Sequence, residues 1–121
     1  MISHIVLFEP KPGLSDEQVR DFAQHLRDAM AAAPSVRRAM VGRKVDVHSG
    51  SARNFGDATY SFSAVVEFDD SKGLIEYLHH PKHAELGRLF WLNCARTVVL
   101  EVESVDATTD QVVDLLVRRP M

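Results

Sequence analysis

Apolar positions change period several times along the chain, and each change marks an element. From Ile2 to Glu9 the residues alternate as a strand. Ile2, His4, Val6 and Phe8 share one face, while Ser3, Ile5, Leu7 and Glu9 share the other. Both faces carry apolar residues, which predicts a strand covered on two sides. Pro10, Pro12 and Gly13 stop it. Ser15 with Gln18 fits a capping box, and Val19, Phe22, Leu26, Met30 and Ala33 follow at helical spacing. Arg20, Asp21, Gln24, Arg27 and Asp28 form the opposite, polar side, and Pro34 ends the helix.

A second strand is predicted from Val36 to His48. Ala39, Val41, Val45 and Val47 lie on one face and Met40, Lys44, Asp46 and His48 on the other, with Gly42 as a candidate bulge. Residues 49–57 (SGSARNFGD) read as a loop. The alternation from Thr59 to Phe68 predicts a third strand, with Tyr60, Phe62, Ala64, Val66 and Phe68 on one face. Asp69, Asp70 and Ser71 start a short helix that runs to Leu78 or His79. Pro81 then opens another at its first position, with Leu86, Leu89, Phe90 and Asn93 as its inner stripe. A fourth strand runs from Ala95 to Val105, with Val98, Leu100 and Val102 on one face. The tail, 106–121, carries a possible short helix around Val112, Val113, Leu115 and Leu116, capped near Thr109 or Asp110.

The order β-α-β-β-α-α-β is an α+β, ferredoxin-like plan with a four-stranded antiparallel sheet and its second helix broken at Pro81. Helices cover one face of such a sheet. Ile5 and Leu7 on the other face, joined by Val41, Val45 and Val47 if they lie there, predict a second copy of the chain as the cover.

Composition sharpens this picture at a few points. The chain has 121 residues, 17 acidic against 14 basic, and a formal net charge of −3. That balance argues against a nucleic-acid partner. No apolar run reaches the roughly 18 residues needed to cross a bilayer, so no membrane role is expected. The opening MISHIVLFEPK has neither the basic stretch nor the cleavage site of a signal peptide, and the one cysteine, Cys94, has no internal partner. A cytoplasmic location and a buried, reduced thiol are therefore expected. Arg37, Arg38, Arg43 and Lys44 read as a solvated basic rim.

Six histidines in so short a chain supply the candidate chemistry. His4, on an apolar strand, is either a buried neutral ring bonded to its surroundings or a general base. His80 precedes Pro81 and is placed at a helix N-cap. His83 falls in the first turn, where the helix dipole disfavours a charged ring and leaves a neutral partner for His4. Tyr77 and Tyr60 could each present a hydroxyl to a ligand or pack in the core. Trp91 is expected to pack, and His25 and His48 to be solvated or at a rim. His79, His80 and His83 do not converge as zinc ligands should, so no metal is expected.

Several segments together carry a resemblance: MISHIVLFEPKPGLSDEQ at the start, VGRKV at 41–45, SAVVEFDD at 63–70 and YLHHPKH at 77–83. They are similar to the Dabb family, the stress-responsive dimeric α/β-barrel domains. The similarity spans residues 1–105 and leaves 106–121 as a separate tail. It implies a homodimer whose two sheets close into a barrel, with a small cavity in each subunit between sheet and helices. It implies no cofactor. One plant member is a polyketide cyclase that uses histidines and no metal. Related barrel families include cofactor-independent monooxygenases and small-molecule binders, so the alternatives to cyclase-like acid–base chemistry are a non-catalytic stress-associated binding or structural protein and a cofactor-independent monooxygenase. Matched residue by residue, His4, Tyr77 and His83 fall on the cyclase's site positions, as proton shuttle, carbonyl-positioning group and partner of the shuttle. The cyclase carries a further histidine where Phe62 stands here. Phe62, Tyr60 and His80 are expected beside a small, largely apolar organic ligand.

Overall fold

The computed structural model describes residues 1–47 and 59–118. Its elements are β1 (Ile2–Pro10), α1 (Asp16–Ala32), β2 (Arg38–Arg43), β3 (Phe62–Phe68), α2 (Ser71–Leu78), α3 (Pro81–Asn93), β4 (Cys94–Glu103) and α4 (Gln111–Val117). The strands form one antiparallel sheet in the order β2-β3-β1-β4, the ferredoxin-like arrangement. β1 is central, with both of its edges paired.

The capping residues sit where the pattern puts them. The backbone N–H of Gln18 donates to Ser15 Oγ at 3.1 Å, and the Ser15 N–H donates to Gln18 Oε1 at 2.8 Å. Asp70 caps α2 by accepting from the Gly73 N–H at 2.9 Å. On α1 the buried residues are Phe22, Leu26 and Ala29, while Val19, in the first turn, stays half exposed.

Register sorts the two faces. His4, Val6 and Phe8 of β1 stand opposite Val66, Ala64 and Phe62 of β3 and Glu101, Val99 and Thr97 of β4, and this face meets the helices. Ile5 stands opposite Val65 and Leu100, Leu7 opposite Ser63 and Val98, and Met40 opposite Val65; these turn away from the helices. Two expectations about β2 need correction. Val41 pairs with Ala64 and so belongs to the helix side, whereas Met40 belongs to the outer face. Gly42 is no bulge: the β2–β3 register runs unbroken through Gly42 and Ser63, and a Cβ there would stand 3.1 Å from Ser63 Oγ. Close approach, rather than an extra residue, accounts for the glycine. The register does slip between Glu9 and Pro10, where proline cannot donate to the ladder. β2 ends at Arg43 and β3 starts at Phe62, so Val45, Val47 and Thr59 lie beyond the paired region. His48 and the loop 49–57 fall outside the described residues.

The core has two parts. Val6, Phe8, Phe22, Leu26, Ala64, Leu86 and Leu89 pack under α1 and α3. There Phe8, Phe22 and Phe90 meet edge to face at 5.0 to 6.0 Å between centroids. Val66, Phe68, Leu74 and Tyr77 pack under α2. No helix among the described residues is long and apolar enough to cross a membrane. Trp91, expected to pack, is 85% exposed.

Phe68 is fully buried against Tyr77, so Phe68→Ala should lower unfolding stability by about 3–5 kcal/mol in urea titrations. The cap variant Ser15→Ala should cost only about 1 kcal/mol. Equal losses would show that the core does not sit where the burial places it.

Candidate functional site

β1 and β4 run antiparallel with His4 opposite Glu101, so both side chains rise from the sheet on the helix side. Glu101 Oε2 lies 2.7 Å from His4 Nδ1. A carboxylate oxygen can only accept, so Nδ1 donates, and in the neutral form of the ring the lone pair is on Nε2. The imidazole is buried, with only 7% of its side chain exposed, while the Glu101 side chain keeps 42%. The carboxylate thus stays partly hydrated while it orients a buried ring.

The helices bring two more rings to the same place. α2 ends in a cap at His79, and α3 restarts at Pro81, with His80 Nδ1 accepting from the Lys82 N–H at 3.1 Å. This break puts Tyr77 in the last turn of one helix and His83 in the first turn of the next. The His4 and His83 ring centroids are 6.0 Å apart, those of His4 and Tyr77 5.8 Å, and those of Tyr77 and His83 4.8 Å, all edge to face. Burial is the main cause holding His83 below the usual imidazole range, with the neighbouring His4 adding to it. Burial, and then the Glu101 charge, push the Tyr77 phenol up to about 12.

A cavity of about 720 Å³ opens beside these rings. That is within the roughly 300–1,000 Å³ typical of small-ligand sites. His4, Val6, Ala64 and Val99 form its sheet side, and Leu26, Met30, Leu86 and Phe90 its helix side, with His83 at the His4 end. Gly87, Trp91, Cys94 and Lys11 continue it along α3 and past the end of β1.

The structure therefore brings His4, His83 and Tyr77 together, but not in equal positions. His4 and His83 line the cavity, whereas Tyr77, 1% exposed, stands behind them with its hydroxyl donating to Met30 Sδ at 3.7 Å. The other three candidates lie elsewhere. Phe62 stacks on Phe8 at 5.6 Å, Tyr60 sits under the Arg96 guanidinium at 5.6 Å, and His80 is the α3 cap. Cys94 is buried, and burial raises its thiol above the usual range. Among the described residues no three His, Cys, Asp or Glu side chains converge as metal ligands would.

Glu101 is the member that reading the sequence missed. It stands in an otherwise apolar stretch, VVLEV, and that interruption was the available signal. Its partner becomes visible only through the β1–β4 register.

Comparison with known proteins adds a family and a set of folds. The sequence profile described as Stress responsive A/B Barrel Domain (Dabb) matches residues 2–104. No curated protein matches the chain. The structure is similar to a hydroxynitrile lyase from Passiflora edulis, with a TM-score of 0.71 and 18% identity over 89% of this chain and 95% of that one. It is also similar to a Dabb family protein with a ferredoxin-like fold from Mesorhizobium loti, with a TM-score of 0.68 and 19% identity over 87% and 97% of the two chains. A third likeness is to a dimeric ferredoxin-like protein of unknown function from Thermobifida fusca, with a TM-score of 0.65 and 24% identity over 84% and 88%.

The depressed His83 titration has a defined sign. The unfolded chain takes up the proton first as pH falls, so the neutral ring's full contribution to stability is present above the unfolded value of about 6.5. That contribution is lost as pH drops through the folded value. Urea melts at pH 7.5 and pH 5 should show this loss, and His83→Gln should reduce it. An unchanged pH dependence in the variant would place the effect on another group.

Proposed function

This chain belongs to the stress-responsive A/B barrel family, and we propose that it acts as a cytoplasmic homodimer. In this reading residues 1–105 form the working domain. Each protomer holds a small, largely apolar carbonyl compound in its cavity and moves a proton on it by side-chain acid–base chemistry. The observation that carries this reading is the His4–Glu101 pair at the inner end of the cavity, 2.7 Å long and facing His83. A carboxylate–imidazole pair fixes the tautomer that leaves a base at Nε2, and it stabilises the imidazolium that forms.

The chemistry follows from the groups present. His4 Nε2 removes a proton from a carbon next to the carbonyl, and the C–H electron pair passes into an enolate. His83 gives its ring N–H to the Leu78 carbonyl and keeps a lone pair on its other nitrogen, which accepts a hydrogen bond from a hydroxyl of the ligand. The enolate carbon then either takes the proton back from His4 or adds to a second carbonyl carbon, whose oxygen becomes an alkoxide and takes the His4 proton; either way His4 returns to its starting state. Tyr77 supports this as a buried wall that fixes both imidazoles, so its effect on a carbonyl is exerted through them. The likeness in fold to a hydroxynitrile lyase is compatible with the same base, since cleaving a hydroxynitrile also begins with removal of one proton, there from a hydroxyl. The open cavity favours a ligand over a purely structural role: Phe62, Phe68 and Leu89, which could have filled it, pack elsewhere in the core.

The homodimer rests on the outer face of the sheet. Ile5, Leu7, Met40, Val65, Val98, Leu100 and Val102 form an apolar surface there, with Leu100 at 55% and Met40 at 43% exposure. Two such faces packed together would remove it from water.

Two measurements test these claims. Enzyme-dependent exchange of the α-protons of 4-phenyl-2-butanone in D2O, followed by NMR, should fall about 10²- to 10⁴-fold in His4→Gln. Glu101→Gln should also slow it. Exchange at the wild-type rate in His4→Gln would remove His4 from the mechanism. Light scattering should return twice the chain mass of 13.5 kDa, and Leu100→Glu should return the single mass. A wild-type monomer at micromolar concentration would sink the dimer.

A further inference from the structure

The cavity wall formed by α3 is built on one helical row. His83, Gly87 and Trp91 are spaced four residues apart, so they lie along one face, and all three line the cavity. Positions 83 and 91 are separated by about 12 Å along the helix axis. Each member contributes something different: a polar ring at the inner end, no side chain in the middle and a large flat ring at the outer end.

Neither of the outer two residues is explained by the fold. Gly87 does not serve the backbone, because the positive-φ glycine among the described residues is Gly13. It does not serve a close approach either, since a Cβ built on it meets nothing within 4 Å. A glycine inside a helix weakens it relative to alanine. What this glycine gains is open space on the cavity wall. Among the described residues Trp91 packs against no other ring, and it is 85% exposed although it is the chain's one tryptophan and among its largest apolar groups. An exposed indole on the cavity lining, next to a bare stretch of helix, is a surface for stacking.

We propose that Gly87 and Trp91 form a platform that selects flat, conjugated ligands. The body of the ligand lies across Gly87 and its outer ring stacks on the Trp91 indole, while its carbonyl reaches the His4 end. This rests on the reading of the cavity as the site of carbonyl chemistry, and it names the class of compound that the site takes. Aromatic ketones fit the whole row. Saturated ketones of the same skeleton fill the cavity and cover the indole, but they lack the added attraction of offset stacking, which needs two flat faces.

The probes are 2-acetonaphthone and its saturated counterpart 2-acetyldecalin, titrated by calorimetry into the wild type, Trp91→Leu and Gly87→Leu. The wild type should bind the aromatic ketone roughly three- to ten-fold more tightly than the saturated one. Trp91→Leu keeps apolar area but removes the flat face, so it should abolish that preference and leave 2-acetyldecalin unchanged. Gly87→Leu should lose both ketones. Its melting temperature should match or exceed that of the wild type, which separates a blocked cavity from a damaged fold. Equal binding of the two ketones by the wild type, or an unchanged preference in Trp91→Leu, would overturn the platform while leaving the cavity as a ligand site. Binding of neither ketone by the wild type would overturn the cavity reading and the platform together.

Discussion

The pairing of β1 with β4 is the constraint on which the rest of this structure depends. β1 is the second half of no hairpin: its two neighbours, β3 and β4, come from much later in the chain. Once the register is set at Ile5 against Leu100, His4 must stand opposite Glu101 on the helix side. A slip of one residue would turn His4, Val6 and Phe8 outward and bring Ile5 and Leu7 under the helices. The register is therefore held by the aromatic packing of Phe8 with Phe22 and Phe90 at one end of the strand. At the other end it is held by the His4–Glu101 hydrogen bond. The packing that builds the core also aligns the candidate dyad.

A polar ring buried in a helix-facing strand has to be satisfied. An unpaired buried donor costs about 1–3 kcal/mol, and among the described residues no buried side-chain nitrogen or oxygen lacks a partner. Glu101 meets this need from an edge strand, where its carboxylate remains in contact with water. Burying both partners would have required desolvating a full charge, which a single hydrogen bond repays poorly. The arrangement places the imidazole inside and the carboxylate at the margin. His83 follows the same logic: it enters from the first turn of α3, and burial beside His4 keeps its ring neutral.

Much of the fold was legible because local signals and the global plan agree. The capping box at Ser15, the cap at Asp70 and the proline start of α3 each mark a boundary in the chain itself. The alternation from Phe62 to Phe68 assigns its buried face correctly. β2 was harder. Met40 and Val41 are both apolar, so neither parity is favoured, and only pairing with β3 decides that Val41 faces the helices. The site divides in the same way. His4, Tyr77 and His83 stand out by residue type and position, and their rings do meet. The partnership with Glu101 joins residues 97 positions apart and has no local signature. Tyr60, Phe62 and His80 are near the site in sequence pattern but are claimed by other interactions: the Arg96 guanidinium, the Phe8 ring and the α3 cap.

The two faces of the sheet answer opposite demands, and this explains why a cavity survives at all. The outer face carries the apolar patch of Ile5, Leu7, Met40, Val65, Val98, Leu100 and Val102, with Ser3, Ser63, Glu67 and Arg38 among and around it, which suits broad contact with a flat surface. The inner face must pack against two helical layers that meet at the break between Leu78 and Pro81. α1 and α3 fill the space over Phe8, and α2 fills it over Phe68, so the two parts of the core close over different stretches of the same sheet. Between them, over His4 and Ala64, the sheet offers a small residue and a polar one, and α3 offers Gly87. A larger side chain at any of these positions could occupy the gap and add buried apolar area. The chain instead places its smallest residues beside its most polar buried group, a combination that core stability alone would not favour.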